Sequence, residues 1–240
     1  MAPIRKGDGA PLEIPGVQEV RSGDGRVFFV DAIPDSEALH AHFDMQEQPE
    51  SDSETIDTLI DQSGNGNDAQ AVGSPTMDDD GFNGLPTAIL DGVDDAWNRD
   101  PSDFETLEQP FSAYAVVEMD GSLSSNNPIW DDRRVDHNIM RWDGSNWMLY
   151  ADSSLDGASD SDANRITGIF DGSDSLIDVD GTTDTGNPST NDLGGLSIGR
   201  RDNEEDFFDG RFCELLLYDT KHDSATRSDV HDYLDNRWGL

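Results

Sequence analysis

Fifty-two acidic residues against fifteen basic ones give this 240-residue chain a formal net charge of −37. A domain carrying that surplus repels itself strongly in dilute buffer, where the screening length is ~10 Å. At molar salt the length falls to ~3 Å, and only immediate neighbours feel one another. Of the acidic residues 40 are Asp and 12 are Glu, and the basic set holds only two lysines, Lys6 and Lys221. Short carboxylates keep a surface hydrated, whereas long lysine stems present apolar surface that salt drives together. The composition therefore reads as adaptation to brine. High charge with a low apolar fraction also matches disorder, but the aromatic and β-branched segments 111–119 and 212–218 argue for a fold. A calcium-loaded polyacidic protein would show regularly spaced Asp-rich nonapeptides, and the sequence has none. A nucleic-acid binder is excluded, because a phosphate backbone would be repelled, and so is an anionic bilayer surface.

Cys213 is the sole cysteine, which rules out an intramolecular disulfide framework and a cysteine-based zinc site. The N-terminal residues lack an apolar stretch and cleavage site, so no export signal is expected. No apolar run approaches the ~18 residues that span a membrane.

Residues 1–34 read as a separate arm. Gly-Asp-Gly follows a basic residue near positions 7–9 and 23–25, which predicts two tight turns. A strand follows at 26–33. The zone is either a tail with an edge strand or an arm that docks onto a partner. From residue 35 to 240, short apolar runs alternate with Gly, Asn, Asp and Ser clusters. Strands are expected at 38–43, 87–91, 111–119, 138–142, 147–150, 165–170, 176–180, 193–198 and 207–218. Many short strands with turn signals between them predict an all-β antiparallel sandwich. One helix closes the chain: Val230, Tyr233, Leu234 and Trp238 share a face, Asp223 or Ser224 caps it, and Gly239 ends it.

Three segments carry a family resemblance. They are Asp61-Gln-Ser-Gly-Asn-Gly-Asn-Asp-Ala69 with the stretch 83–95, then Ile177-Asp-Val-Asp-Gly181, and finally 208–219 running on to Trp238-Gly239-Leu240. Together they resemble the LamG-like branch of concanavalin A-like lectin jelly rolls over about residues 38–240. The resemblance implies two packed antiparallel sheets, often with a ligand or cation site on the loops. Cys213 departs from it, standing where a small aliphatic residue is usual. The N-terminal zone, with Ala32-Ile-Pro-Asp-Ser36, is similar to the start of structural proteins of haloarchaeal tailed viruses, and the acidic surface resembles haloarchaeal proteins generally.

Sugar sites combine aromatic platforms with a few directed polar groups, and Trp97, Trp130, Trp142 and Trp147 are the candidate platforms. The stretch 141–147, with two indoles flanking a turn, is the best of them, against the alternative that these rings close the core. In the Asp61–Asp68 loop, Asp61, Asn65, Asn67 and Asp68 can offer oxygens to a hard cation such as Ca2+ or Mg2+. The competing reading is an Asx-turn loop shaped by its glycines. Glu50-Ser-Asp-Ser-Glu54 has the carboxylate spacing of a retaining glycosidase, but serines rather than apolar residues separate the acids, so a solvated loop is expected. Glu214 lies in an apolar run and needs a partner, an arginine or a cation. His40 and His42 alternate on one face of a strand and could share a cation, but they read as ordinary edge histidines.

The expectation is a non-enzymatic exterior virion protein of a haloarchaeal tailed virus, as tail fibre, spike or capsid turret. Release by lysis would account for a lectin-like module without an export signal. Its partners would be other virion proteins through the arm and host surface glycans, and a homo-trimer is expected by analogy. The alternatives are a host-encoded carbohydrate-binding module and a glycoside hydrolase.

Overall fold

The computed structural model describes 17–21 and 27–31 as backbone, and 32–120, 126–134, 138–201 and 206–240 in full. Packing divides the chain into two compact units, one comprising Met1–Ser36 with Asp223–Leu240, the other Glu37–His222.

In the first unit, β1 (Val17–Arg21) and β2 (Val27–Asp31) form a two-stranded antiparallel hairpin of their own. The two Gly-Asp-Gly turns expected in the arm lie outside the described residues. The helix α1 (Ser224–Trp238) groups with this unit. Asp223 is its cap, accepting from the amides of Ala225 and Thr226 at 3.0 and 2.9 Å. Gly239, at φ 70°, takes the left-handed conformation that ends it. Val230, Tyr233, Leu234 and Trp238 are buried, the face that their spacing predicts.

The second unit holds the remaining strands. In chain order they are β3 (Leu39–Asp44), β4 (Thr58–Leu59), β5 (Ala69–Val72), β6 (Thr76–Asp78), β7 (Thr87–Asp91) and β8 (Ala96–Arg99). Next come β9 (Phe111–Met119), β10 (Asn127–Asp131), β11 (Ile139–Trp142), β12 (Trp147–Tyr150) and β13 (Ser154–Asp156). The last are β14 (Arg165–Phe170), β15 (Ser175–Val179), β16 (Thr182–Gly186), β17 (Leu196–Ile198) and β18 (Asp209–Tyr218). One sheet runs β13-β12-β11-β10-β17-β8-β5-β4, and the other runs β16-β15-β14-β9-β18-β7-β6, with β3 also on β18. All pairings are antiparallel, which makes this unit an all-β sandwich of two sheets, as the alternation of short apolar runs predicts.

Aromatic rings from both sheets meet in the core. Phe111 stacks on its ladder partner Phe170 at 4.6 Å, and Trp130 of the opposite sheet lies 5.7 Å from Phe170. Trp97 approaches Phe212 across the layers at 6.0 Å. Gly168 on β14 leaves room for Leu149 and Met140 of the facing sheet, whose ends would lie 2.9 Å from a Cβ there. Strand alternation therefore assigns Trp97, Trp130, Met140 and Leu149 to the inner face of the first sheet.

Candidate functional site

The four candidate platform tryptophans all belong to that inner set. Trp97, Trp130 and Trp147 are wholly buried and Trp142 is 4% exposed. Trp142 and Trp147 are ladder partners, packed edge to face at 5.8 Å and in phase with Met140 and Leu149. The Trp97 indole donates to the Ile56 carbonyl at 2.9 Å, and the Trp147 indole to that of Asp160 at 2.9 Å. None presents a ring face to solvent, so the expectation of sugar platforms at Trp97, Trp130, Trp142 and Trp147 is corrected. A period-two strand next to a short turn buries both indoles on one side of the sheet.

The Asp61–Asp68 loop is closed on itself. Asp61 Oδ1 accepts from the amides of His42 and Ser63, each at 2.9 Å, while Oδ2 accepts from the Ser63 hydroxyl and the Asn67 amide, each at 2.8 Å. Asp68 Oδ1 accepts from the Asp61 amide at 2.8 Å. Asn65 and Asn67 turn their amide nitrogens toward the start of β3, donating to the Leu39 carbonyl at 2.7 Å and the His40 carbonyl at 2.8 Å. Gly64 and Gly66 supply positive φ. The arrangement is that of the Asx-turn alternative: Asp61, Asn65, Asn67 and Asp68 latch the loop to β3 rather than converge on a point in space.

Two other groups bring ligand atoms together. Asp91, Asp94 and Asp95 lie at the β7–β8 turn, and His42, Asp44 and Glu214 are buried together; within each group the atoms lie within 4.8 Å of one another. Burial raises the Asp95 carboxyl above the ordinary range, and the Ser74 amide at 2.6 Å opposes that shift. Glu214 finds its partner in His42, whose Nε2 lies 2.8 Å from Oε1. His40 instead packs edge-on against Phe104 at 4.8 Å. Glu50 is half-buried and 51–54 form an exposed turn in which the Glu54 carboxylate accepts from the Ser51 amide at 2.9 Å. No strand aligns those acids.

The feature that sequence reasoning missed lies on the outer face of the first sheet. Because Trp130 and Ile198 face inward, their successor Asp131 and predecessor Ser197, which are ladder partners, point the other way. Asn98 pairs with Ser197, so Asp131, Ser197 and Asn98 form a polar row across three strands. Asn98 Oδ1 accepts from the Ser197 hydroxyl at 2.9 Å and from Arg200 Nε at 3.3 Å. Arg141 joins this face, being out of phase with Met140. Arg201 Nη1 donates to Asp206 at 3.1 Å, and Asn126 to the same carboxylate at 3.4 Å. Five of the fifteen basic residues, Arg133, Arg134, Arg141, Arg200 and Arg201, lie on or beside β10, β11 and β17. In the sequence the arginine pairs 133–134 and 200–201 were visible, but not that the sheet brings them together.

No protein-family model matches the chain, and no curated protein is similar to it in sequence. Solved structures do share its fold. Domain 4 of AbnA, an extracellular GH43 arabinanase from Geobacillus stearothermophilus solved with arabinotriose, aligns with 80% of this chain and 97% of its own, at 15% identity and TM-score 0.59. Trypanosoma rangeli sialidase aligns with 87% of the chain and 34% of its own length, at 14% identity and TM-score 0.55. The receptor-binding domain of a botulinum neurotoxin C/D mosaic aligns with 82% and 51%, at 10% identity and TM-score 0.54. At these identities the likeness is one of fold: an antiparallel β-sandwich.

Proposed function

We propose that the Glu37–His222 sandwich is a LamG-like, lectin-type carbohydrate-binding module that binds sugar without cleaving it. The observation that carries this reading is the polar row on the outer face of the first sheet. Half-buried Asn98 and Arg141 offer polar groups on rigid strands, while Ser197, Asp131 and Arg200 are buried behind them and brace the row; such directed polar groups orient sugar hydroxyls. The fold shared with an arabinanase domain solved with arabinotriose supports it. The turn at Glu50–Glu54 supports binding over cleavage, because its acids stand on no strand that would align them as a facing pair.

The setting proposed for this module is the exterior of a haloarchaeal tailed virus, in a tail fibre, spike or turret. There it contacts host surface glycans, anchored through residues 1–34 and assembled as a homo-trimer. The acidic surface and the resemblance of the N-terminal residues support this setting. A glycan array read in molar KCl tests binding, and a reducing-sugar assay tests the absence of cleavage. Mass spectrometry of purified particles tests the location; recovery from the cytosol of uninfected cells, with none in particles, overturns it and favours a host-encoded module.

A further inference from the structure

Most arginines of the basic cluster have a carboxylate or carbonyl partner, although Arg133 Nε and Nη1 make no hydrogen bond among the described residues. Arg134 reaches Asp132 at 3.4 Å and the Asp192 carbonyl at 3.1 Å, and Arg133 faces Asp100 at 3.6 Å. Arg141 does not: among the described residues its buried Nε has no hydrogen-bond acceptor, and its Nη2 meets the Met148 thioether, 3.9 Å away. Of the nearby carboxylates, Asp143 caps its own turn through the Ser145 and Asn146 amides at 2.8 and 2.9 Å, Asp206 holds Arg201, and Asp131 is wholly buried with contacts of its own. The adjoining strands bring a second cation alongside. Arg141 is in register with Pro128 on β10, and the Gly199 amide donates to the Ile129 carbonyl at 2.9 Å, two residues before Arg201. Arg201 Nε is likewise buried without an acceptor. Burial first, and the Arg201 charge second, push the Arg141 guanidinium below its ordinary pKa. Two like charges, of which only Arg201 holds a carboxylate among the described residues, form a seat that an anion completes.

We infer that Arg141 and Arg201, on the outer face of the first sheet, seat the carboxylate of an acidic sugar. A planar guanidinium fork matches a carboxylate in two parallel hydrogen bonds, and half-buried Asn98 beside it then meets ring hydroxyls. The inference rests on the carbohydrate-binding reading and names its ligand class.

The test is calorimetric titration of the full chain in molar KCl with a panel of uronic- and sialic-acid oligosaccharides, each beside its methyl ester and a sulfated counterpart. The acids bind about tenfold tighter than their esters, the worth of one charge-assisted pair. Arg141→Gln and Arg201→Gln each remove that preference, and Arg141→Lys, which keeps the charge but not the fork, loses most of it. Equal binding of acid and ester overturns the carboxylate seat while leaving the sugar-binding reading standing, as does a preference for sulfated sugars. Binding of no glycan overturns both. Should either glutamine variant fail to fold, the acid-to-ester ratio of the natural chain decides.

Discussion

At Cys213 the ladder between β18 and β9 slips by one residue: Phe212 pairs with Val117, yet Glu214 pairs with Val116. Phe212 faces the core, and without the extra residue Glu214 would follow it there by alternation. The bulge turns Glu214 to the outer face, where His42 meets it, and returns Leu215 to the core opposite Ala115. Removing one partner of a buried hydrogen bond costs about 1–3 kcal/mol, so His42→Ala is expected to lower stability by at least that much in denaturant titrations at molar salt. Cys213 itself is fully buried, and burial pushes its thiol well above the ordinary range. Maleimide is expected to leave it unlabelled in the folded chain at pH 8, with labelling that tracks unfolding; fast native labelling would contradict this burial.

Elements whose residues alternate or cluster by hydropathy were legible in the sequence. Strands β7, β9, β12 and β14 and the helix α1 stand where the pattern predicts, to the residue or nearly so. The ones left unseen are β1, β4, β5, β6, β8, β10, β13 and β16, most of them two to four residues long or polar on both faces. The strand β16, Thr182–Gly186, is almost wholly exposed at a sheet edge, so no apolar face marks it. The candidate site was illegible for a related reason. Its row of Asn98, Asp131 and Ser197 comes from three strands whose adjacency no local pattern encodes, whereas the tryptophans were conspicuous but belonged to the core. At the helix, hydrogen bonds from Thr226 hold the Asp223 carboxyl below its usual range. Its contribution to stability is therefore in place above the ordinary carboxylate pKa and is lost as pH falls through the lowered folded value. Asp223→Ala is expected to lower the melting temperature at neutral pH and to flatten that acid limb.

Over the whole molecule the charge of −37 sets the conditions under which it folds. Dialysis from molar KCl into dilute buffer is expected to lower the melting temperature steeply, followed by circular dichroism; an unchanged melting point would refute adaptation to brine. Acid acts in the opposite sense to dilution. Burial raises the carboxyls of Asp95, Asp132 and Asp209. The folded chain therefore takes up those protons more readily than the unfolded one, and stability is lost as pH climbs through the folded values. Mild acidification from neutrality in low salt is thus expected to raise the melting temperature, until the loss of Asp223's ion and of similar groups reverses the trend. The long strand β18 has a further consequence during synthesis. Residues 209–218 fill the gap between strands drawn from 39–44, 87–91 and 111–119. A nascent chain on the ribosome therefore carries β9 with one edge of unpaired amides and carbonyls until residues 209–218 have been made, and only then can that layer zip shut around its late-arriving central rung.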